Sequence, residues 1–526
     1  MLDRVELGVA LAATIVAVGL RLHAFRHVGA LWRDEINTAN LIASPTLASL
    51  WRGLEFESFP VLFPFVLRGW AAIAGDSDAA LRVLGLLGGL SIIAAAWLVA
   101  ANRSRPPVLA LALLAVNPEI IRWGSSVRAF GWAAGLATAA LVLLVAAAGD
   151  RSRRRWAVVA IVVLATMQCL YQNAILVAAA VFGVGLAALL RRDQGSAAWA
   201  AAVGLAGAAS LLPYLETIAR VSRWSDVNQS AYAPGFLLGK AWASVAAGGV
   251  VPGAAFGLLA GAGIAAGVFA AATQRRSEAD GSRAVAFGAS GVAAALGFAV
   301  FVLQLGLPTQ SWYYLGVIAF VAIAADAALG MLRSTAVRVA SLGIALVVLA
   351  TGVGPAVTAL RARNSNADAV AVALDARARP GDLVVVSPWY LVFGVDRYYR
   401  GPAAVVTVPP LADTSLHRYD LLRQTMSSPG AIEPLIGRIE EVLSAGGRVY
   451  VAGRLPPSRL GWSVPDLPPP PLPDTGWNAA PYLFVWSSRV GAFLLSHSTE
   501  SSLVPVEHPG GPLENIALRE YQGFRP

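Results

Sequence analysis

Apolar positions along this chain fall into long unbroken runs up to about residue 355 and into short, patterned runs after it. The long runs have the roughly 17–25 residues needed to cross a ~30 Å hydrocarbon layer as a helix. They predict eleven spans, near 5–22, 82–101, 107–121, 130–148, 156–171, 173–190, 197–215, 250–273, 284–305, 313–330 and 336–355. From Ala356 to Pro526 the pattern changes. Asn366–Arg379 reads as an amphipathic helix, Pro380-Gly381-Asp382 as a turn, and the valine-rich Leu383–Ser387 as a buried strand. Ala431–Ser444 reads as a second helix, followed by Gly446-Gly447 and a strand over Arg448–Ala452. Helix, turn and strand in alternation predict a small α/β domain. The prolines at 468–471 and 473 predict an extended surface loop. Tyr482–Leu495 is apolar, is interrupted by Ser487-Ser488-Arg489, and is too short to span, so it reads as domain core, with a membrane-surface helix as the lesser alternative.

About sixty residues separate the first two spans, long for a connection without structure of its own. Leu47, Leu50, Trp51 and Leu54, then Phe59, Leu62, Phe63, Val66, Leu67 and Trp70, recur at helical spacing beside Arg52 and Arg68. Such faces suit helices lying in the membrane interface. Glu55 and Glu57 fall in the polar break between them, and Pro60 and Pro64 bend the second.

Charge sets the orientation. Arginine-dense connections occur at Asn102–Arg105, Arg151–Arg155, Arg191-Arg192, Gln274–Arg276 and Met331–Arg338, on every second loop. The positive-inside rule then puts the amino terminus in the cytoplasm and the Asp34 loop and the tail after Pro355 outside it. Composition agrees with a multi-pass cell-membrane protein. Hydrophobic residues are 57% and charged residues 13% of the chain, and mean hydropathy is +0.62, against the roughly 25% charged residues of a soluble domain. The net charge of +9 comes almost wholly from arginine, Lys240 being the single lysine. It marks contact with anionic lipid and not with nucleic acid. No small-residue cleavage site follows the first span, which is expected to be a retained helix. The single cysteine, Cys169, excludes an intrachain disulfide.

Chemistry concentrates at Trp32-Arg33-Asp34-Glu35, a carboxylate pair just past the first span. If the chain transfers glycosyl groups, as the family resemblance given below implies, then outside the cytosol, where there are no nucleotide sugars, it needs a donor carried in the membrane, and a lipid-linked phosphosugar fits. Its leaving group departs as a stable anion, so the enzyme needs a base and a cation. Asp34 is read as the general base that accepts the proton of an acceptor hydroxyl attacking the anomeric carbon with inversion. Glu35 orients the acceptor or tunes Asp34, because close carboxylates push their pKa values apart. Arg128, and secondarily Arg122, is read as the holder of the donor phosphate, a guanidinium being a fixed fork of charged donors; about 240° of helical turn would separate the two, so both need not face one site. The bland alternatives are a helix cap for Asp34 and a snorkelling Arg128. Glu55 and Glu57, Tyr171 with Gln172 and Asn173, and Tyr313 with Gln310, Trp312 and Tyr314 are candidate substrate-lining groups, their plainer readings being solvated acids, a turn cap and an aromatic belt. His23 and His27 are spaced i, i+4, but no metal is expected; a divalent cation is not indicated.

These residues resemble a family. Trp32-Arg33-Asp34-Glu35, Phe59-Pro60-Val61-Leu62-Phe63, Leu67-Arg68-Gly69-Trp70, Gly75-Asp76-Ser77-Asp78 and Leu81-Arg82-Val83-Leu84 resemble the amino-terminal half of polyprenyl-phosphate-dependent glycosyltransferases. These belong to the C-type membrane superfamily, in the branch of protein mannosyltransferases and the lipid A aminoarabinose transferase. Asn117–Ile121 leading to Val127-Arg128-Ala129-Phe130 resembles the next outer loop of that family. The resemblance implies a polyprenyl-phosphate-linked sugar as donor and an envelope glycan, lipid or protein as acceptor. Many relatives carry an acid two residues before the loop arginine and a tyrosine two after it; here Ser126 and Phe130 stand there, leaving Glu119 as the substitute acid. No Trp-Trp-Asp-Tyr-Gly signature is present, which argues against the oligosaccharyltransferase branch. Two rival classes remain: a transporter or lipid-linked sugar flippase, favoured by Asp326 inside a span, and a non-enzymatic envelope assembly factor, compatible with the tail.

Overall fold

A segment that is apolar on every face satisfies its backbone only as a helix once it leaves water, and the first two thirds of this chain obey that constraint. The computed structural model describes all residues except 102–104, 151, 225–233, 274–277, 306–308, 333, 457–463, 472–477 and 512, together with all side chains save those of 221–224. The expected arginine turns at Asn102–Ser104, Arg151, Gln274–Arg276 and Arg333, and Pro473, lie outside the described residues. Among the described residues nine helices are long and apolar enough to cross a membrane: Leu2–His27, Asp78–Ala101, Phe130–Ala147, Asn173–Leu190, Gln194–Arg220, Val250–Ala272, Ala279–Leu305, Ser311–Gly330 and Thr335–Leu360. The expected span near 156–171 is the 17-residue helix Arg153–Cys169, which opens on three arginines.

One expected span is divided. Residues 107–121 form two short helices, Val108–Val116 and Pro118–Gly124, broken at Asn117. The Asn117 side chain accepts from the backbone N–H of Glu119 and Ile120 at 3.0 and 3.1 Å, and Pro118 takes the first helical position. A cap and a proline together start a new helix, and apolarity alone does not reveal that break.

Contact clustering divides the chain into two units. The first comprises Met1–Arg26, Ser58–Thr217 and Ala231–Arg361. Small residues let its helices approach closely: a Cβ on Gly183 would stand 2.2 Å from Ser290 Oγ, and one on Gly263 would stand 2.5 Å from Ala325. Near the amino terminus Glu6, 2% exposed, accepts from Arg105 at 2.9 Å and from Arg338 at 2.6 Å. Asp326, which the sequence offers to a transporter, has a structural task. Its Oδ2 accepts the N–H of Ala110 at 2.8 Å and caps the buried Val108–Val116 helix.

The second unit comprises His27–Glu57, Ile218–Ser230 and Ala362–Pro526. Its centre is a five-stranded sheet of β1 (Leu383–Ser387), β2 (Ala404–Thr407), β3 (Val449–Gly453), β4 (Ser498–Val504) and β5 (Leu518–Phe524), in the order β2-β1-β3-β5-β4. β1 runs parallel to β2 and β3, whereas β5 is antiparallel to β3 and β4. β1 and β3 are buried along their whole length, which is why they read as continuous valine-rich runs. The Ala479–His497 helix buries Tyr482, Val485, Trp486, Val490 and Leu494 at helical spacing, making the apolar 482–495 stretch domain core.

Also in this unit, the connection after the first span forms helices at Arg33–Ile42 and Leu47–Gly53 and a single turn at Leu54–Phe56. The Leu62–Ala74 helix, in the first unit, matches the second of the two expected interfacial helices. Backbone bonds join the start of the connection to the strand-bearing segment. Asn364 N–H donates to Val28 O at 2.8 Å, and Leu31 N–H donates to the Tyr398 hydroxyl at 2.8 Å.

Candidate active site

The Asp34 helix is positioned by its amino-terminal turn. Glu35, 1% exposed, accepts the N–H of Trp32 at 3.2 Å, so the capping task falls to Glu35. Asp34 is not the cap. Its side chain keeps 19% exposure, and Oδ1 accepts from Arg33 Nε at 3.2 Å. Of the two adjacent acids, Asp34 alone presents its carboxylate to an incoming molecule.

Arg33 is clamped at both ends. Its backbone N–H donates to Glu514 Oε1 at 2.9 Å, and its guanidinium lies 4.4 Å from the centroid of the Tyr390 ring. Burial presses the Arg33 pKa down, but Asp34, Tyr419, Tyr390 and Glu514 together hold it above the ordinary arginine value. Glu514 shifts upward because it is buried; the Arg33 N–H, the Ser365 side chain and the Arg33 charge only partly offset that burial.

Further along the same helix, Asn37 donates to Phe56 O at 3.1 Å and to Glu57 Oε1 at 2.9 Å, and Thr38 Oγ1 donates to Glu57 Oε1 at 2.7 Å. Glu57, 4% exposed, is therefore an internal hydrogen-bonding centre. Glu55, two residues earlier, faces outward and pairs with Arg220 at 2.8 Å.

The C-terminal segment contributes groups that the sequence did not single out. His417 Nε2 lies 3.8 Å from Asp34 Oδ1. Trp389, Tyr390, Phe393 and Tyr419 surround this point, with Phe393 4.7 Å from the His417 ring centroid to centroid. The one signal in the sequence is a polar stripe, Asp34, Asn37 and Asn40, at three-residue spacing. Asn37 Oδ1 accepts the His417 N–H at 2.8 Å and Asn40 Nδ2 donates to Ser415 O at 2.9 Å.

In the first unit Arg128 is 5% exposed. Its Nη2 donates to Ser58 Oγ at 3.5 Å, and its guanidinium lies 4.9 Å from the Phe59 ring centroid and 5.7 Å from that of Phe130. The loop that carries it is seated on glycine. A Cβ on Gly85 would meet Ser126 O at 2.5 Å, and one on Gly131 would meet Gly124 O at 1.9 Å. The remaining candidates in this unit have partners of their own. Arg122 donates to Ala359 O at 2.6 Å, and Glu119 accepts the Trp123 indole N–H at 2.6 Å. Tyr171 packs edge-on to Tyr214 at 5.8 Å between centroids, and Tyr313 stacks on Trp312 at 6.4 Å while its carbonyl accepts from Gln172. Among the described residues no group of three or more histidines, cysteines or acids is arranged to hold a metal ion.

No family model matches the sequence, and no curated protein matches it. Solved structures do match. The chain is similar to ArnT from Cupriavidus metallidurans bound to undecaprenyl phosphate, at 13% identity over 98% of this chain and 97% of that one, with a TM-score of 0.53. It is also similar to the Archaeoglobus fulgidus oligosaccharyltransferase in complex with zinc and sulfate, at 15% identity over 84% of this chain and 67% of that one, with a TM-score of 0.52. At such identities the likeness is one of architecture: the chain shares the fold of these two solved structures.

Proposed function

We propose that the protein is an inverting membrane glycosyltransferase that moves a sugar from a polyprenyl-phosphate donor to a hydroxyl of an extracytoplasmic glycan, lipid or protein. The observation that carries this reading is the carboxylate of Asp34, partly exposed beside a buried partner acid and fixed by Arg33. In the reaction the acceptor oxygen bonds to the anomeric carbon as the bond from that carbon to the phosphate oxygen breaks. The hydroxyl proton passes to Asp34, and the lipid phosphate leaves as an anion that needs no acid. Arg128 neutralises the phosphate as charge develops.

A lipid donor is supported by an apolar cavity of about 430 Å³ between the Pro234–Val245, Val250–Ala272, Ala279–Leu305 and Ser311–Gly330 helices, with Leu237, Phe256, Phe298 and Val317 in its wall. ArnT, with its bound undecaprenyl phosphate, supplies a precedent on this fold. Residues 1–355 form the transferase domain in this reading and 356–526 an extracytoplasmic α/β domain, with the amino terminus in the cytoplasm of a cell-membrane protein. The pairing of Arg105 and Arg338 with Glu6, near the amino terminus, suits that orientation.

The test uses purified protein in lipid, labelled polyprenyl-phosphate sugars and envelope acceptors, with Asp34→Asn beside the wild type. Asn keeps size and hydrogen bonding but removes the base, so transfer is expected to fall about 10²–10⁴-fold. Undiminished transfer by the variant removes Asp34 from catalysis. Turnover only with a nucleotide sugar defeats the donor assignment.

A further inference from the structure

We infer that His417, supplied by the C-terminal α/β segment, is the positioning residue that holds the Asp34 carboxylate in one orientation. The inference rests on Asp34 being the base, and it assigns the C-terminal segment a part in the reaction.

The geometry is specific. One helix grips His417 twice: Asn37 accepts its backbone N–H at 2.8 Å, and Asp34, three residues earlier on the same helical face, stands 3.8 Å from its ring. The main chain is tightly turned there, with Tyr419 N–H donating to His417 O at 2.6 Å and Arg418 N–H to Leu416 O at 2.7 Å. Three aromatic rings enclose the imidazole: Phe393 at 4.7 Å, Tyr419 at 5.7 Å and Trp389 at 6.5 Å between centroids. The ring is left 6% exposed. A histidine held at its backbone, walled by aromatics and turned toward a carboxylate has few orientations open to it.

The chemistry follows from charge. An imidazolium beside a carboxylate favours the ionised acid, and an oriented neutral imidazole still fixes the carboxylate oxygen it faces. The other charged groups near this pair are Arg33 from the Arg33–Ile42 helix and Glu514 from the segment before β5. Tyr390 and Tyr419 add titratable phenols. On its own segment His417 neighbours Arg418, whose charge is tied to Asp413 and to Asp420 at 2.7 Å.

Two measurements test the inference. The first needs no transfer: the imidazoles of histidine-labelled protein in lipid are titrated by NMR, and the His417 signal is assigned by replacing His23, His27, His497 and His508 in turn. Asp34→Asn is expected to lower the protonation midpoint of His417 by about one pH unit or more, the size of effect an opposite charge at this range produces. An unchanged midpoint overturns the inference. The second is kinetic: His417→Gln is expected to lower kcat about 10–100-fold, less than loss of the base itself, to shift the acid limb of the pH profile, and to leave KM for the lipid donor near wild type. A purely structural role lowers thermal stability and raises KM without moving the profile, and that result overturns the inference. If Asp34→Asn abolishes transfer while His417→Gln keeps the wild-type kcat and profile, the base assignment stands and this inference falls. If Asp34→Asn transfers normally, the base assignment itself falls.

Discussion

Asp34 and Arg128 both follow a helical segment in a connection, yet opposite means hold them. Asp34 is held by side chains distant in sequence. Glu514 takes the backbone of the residue before it, the Tyr398 hydroxyl takes the N–H of Leu31, and His417 faces its carboxylate. Arg128 is held by backbone packed on backbone, through Gly85 and Gly131, both within about fifty residues of it in the chain. A carboxylate set among polar partners from several segments is held in one orientation. A guanidinium on a tightly seated loop offers a fixed charge at a fixed place. Those are the respective needs of the proposed base and the proposed anion clamp.

The sharpest way to break the comparison is at Arg128. If its guanidinium clamps the donor phosphate, Arg128→Ala loses about 10²–10³-fold in kcat/KM, the usual cost of one preorganised charged donor. Arg128→Lys keeps the charge without the fork and recovers only part of that loss. Transfer assays across donor concentrations check this, and equal activity of all three proteins removes Arg128 from donor recognition.

How each region could be read in the sequence follows from the same contrast. The spans, β1, β3 and the helices that begin near Ala367 and Glu433 are legible because apolar period and turn residues are local signals. Asp34 and Arg128 stand out because each is charged beside a span. β2 escapes because it is four residues long and only partly buried, and β4 because its serines and glutamate carry no apolar period. The break at Asn117 escapes because apolar residues flank it on both sides. His417 and Glu514 carry no local signal: their surroundings exist only once residues nearly four and five hundred positions away have folded onto the Arg33–Ile42 helix. Glu57 and Glu55 are indistinguishable in the sequence, and only packing separates the buried acid from the exposed one.

Backbone seating makes the next prediction. A methyl group on Gly131 would stand 1.9 Å from the Gly124 carbonyl oxygen, so Gly131→Ala must push the loop aside. Overpacking of this kind costs about 1–3 kcal/mol. The variant is expected to melt lower and to use the donor poorly, whereas Gly437→Ala, at a helical position open on all sides, gains up to about 1 kcal/mol. Thermal unfolding and transfer measured on both variants check the pair. A neutral Gly131→Ala means that the loop is not held by close packing.

In the Asp34 region the counterpart is Glu57. Removing its carboxylate takes one acceptor each from Asn37 and Thr38 in a buried setting. Glu57→Ala is expected to cost about 1–3 kcal/mol. Glu55→Ala, which opens an exposed ion pair with Arg220, costs under about 1 kcal/mol. Denaturation of the two variants side by side measures the difference, and equal losses contradict the assignment of Glu57 to the interior.

The smallest expected effect concerns Glu514, whose carboxyl is raised above the usual glutamate range by burial despite the Arg33 and Ser365 contacts that oppose the shift. An acid whose pKa is higher in the folded protein than in the unfolded chain binds its proton more tightly when folded. Its contribution to stability is complete below the unfolded glutamate pKa and is lost as pH rises through the folded value. At neutral pH the ionised Glu514 is therefore a cost to the fold. Glu514→Gln keeps an oxygen to accept the Arg33 N–H and removes the charge, so it is expected to melt slightly above the wild type at pH 7. The gap should close as pH falls below the ordinary glutamate range, where both proteins carry a neutral group. Melting curves across that range check the sign. A variant less stable than the wild type at neutral pH means that the charge of Glu514, and not merely its oxygen, holds the start of the Asp34 helix.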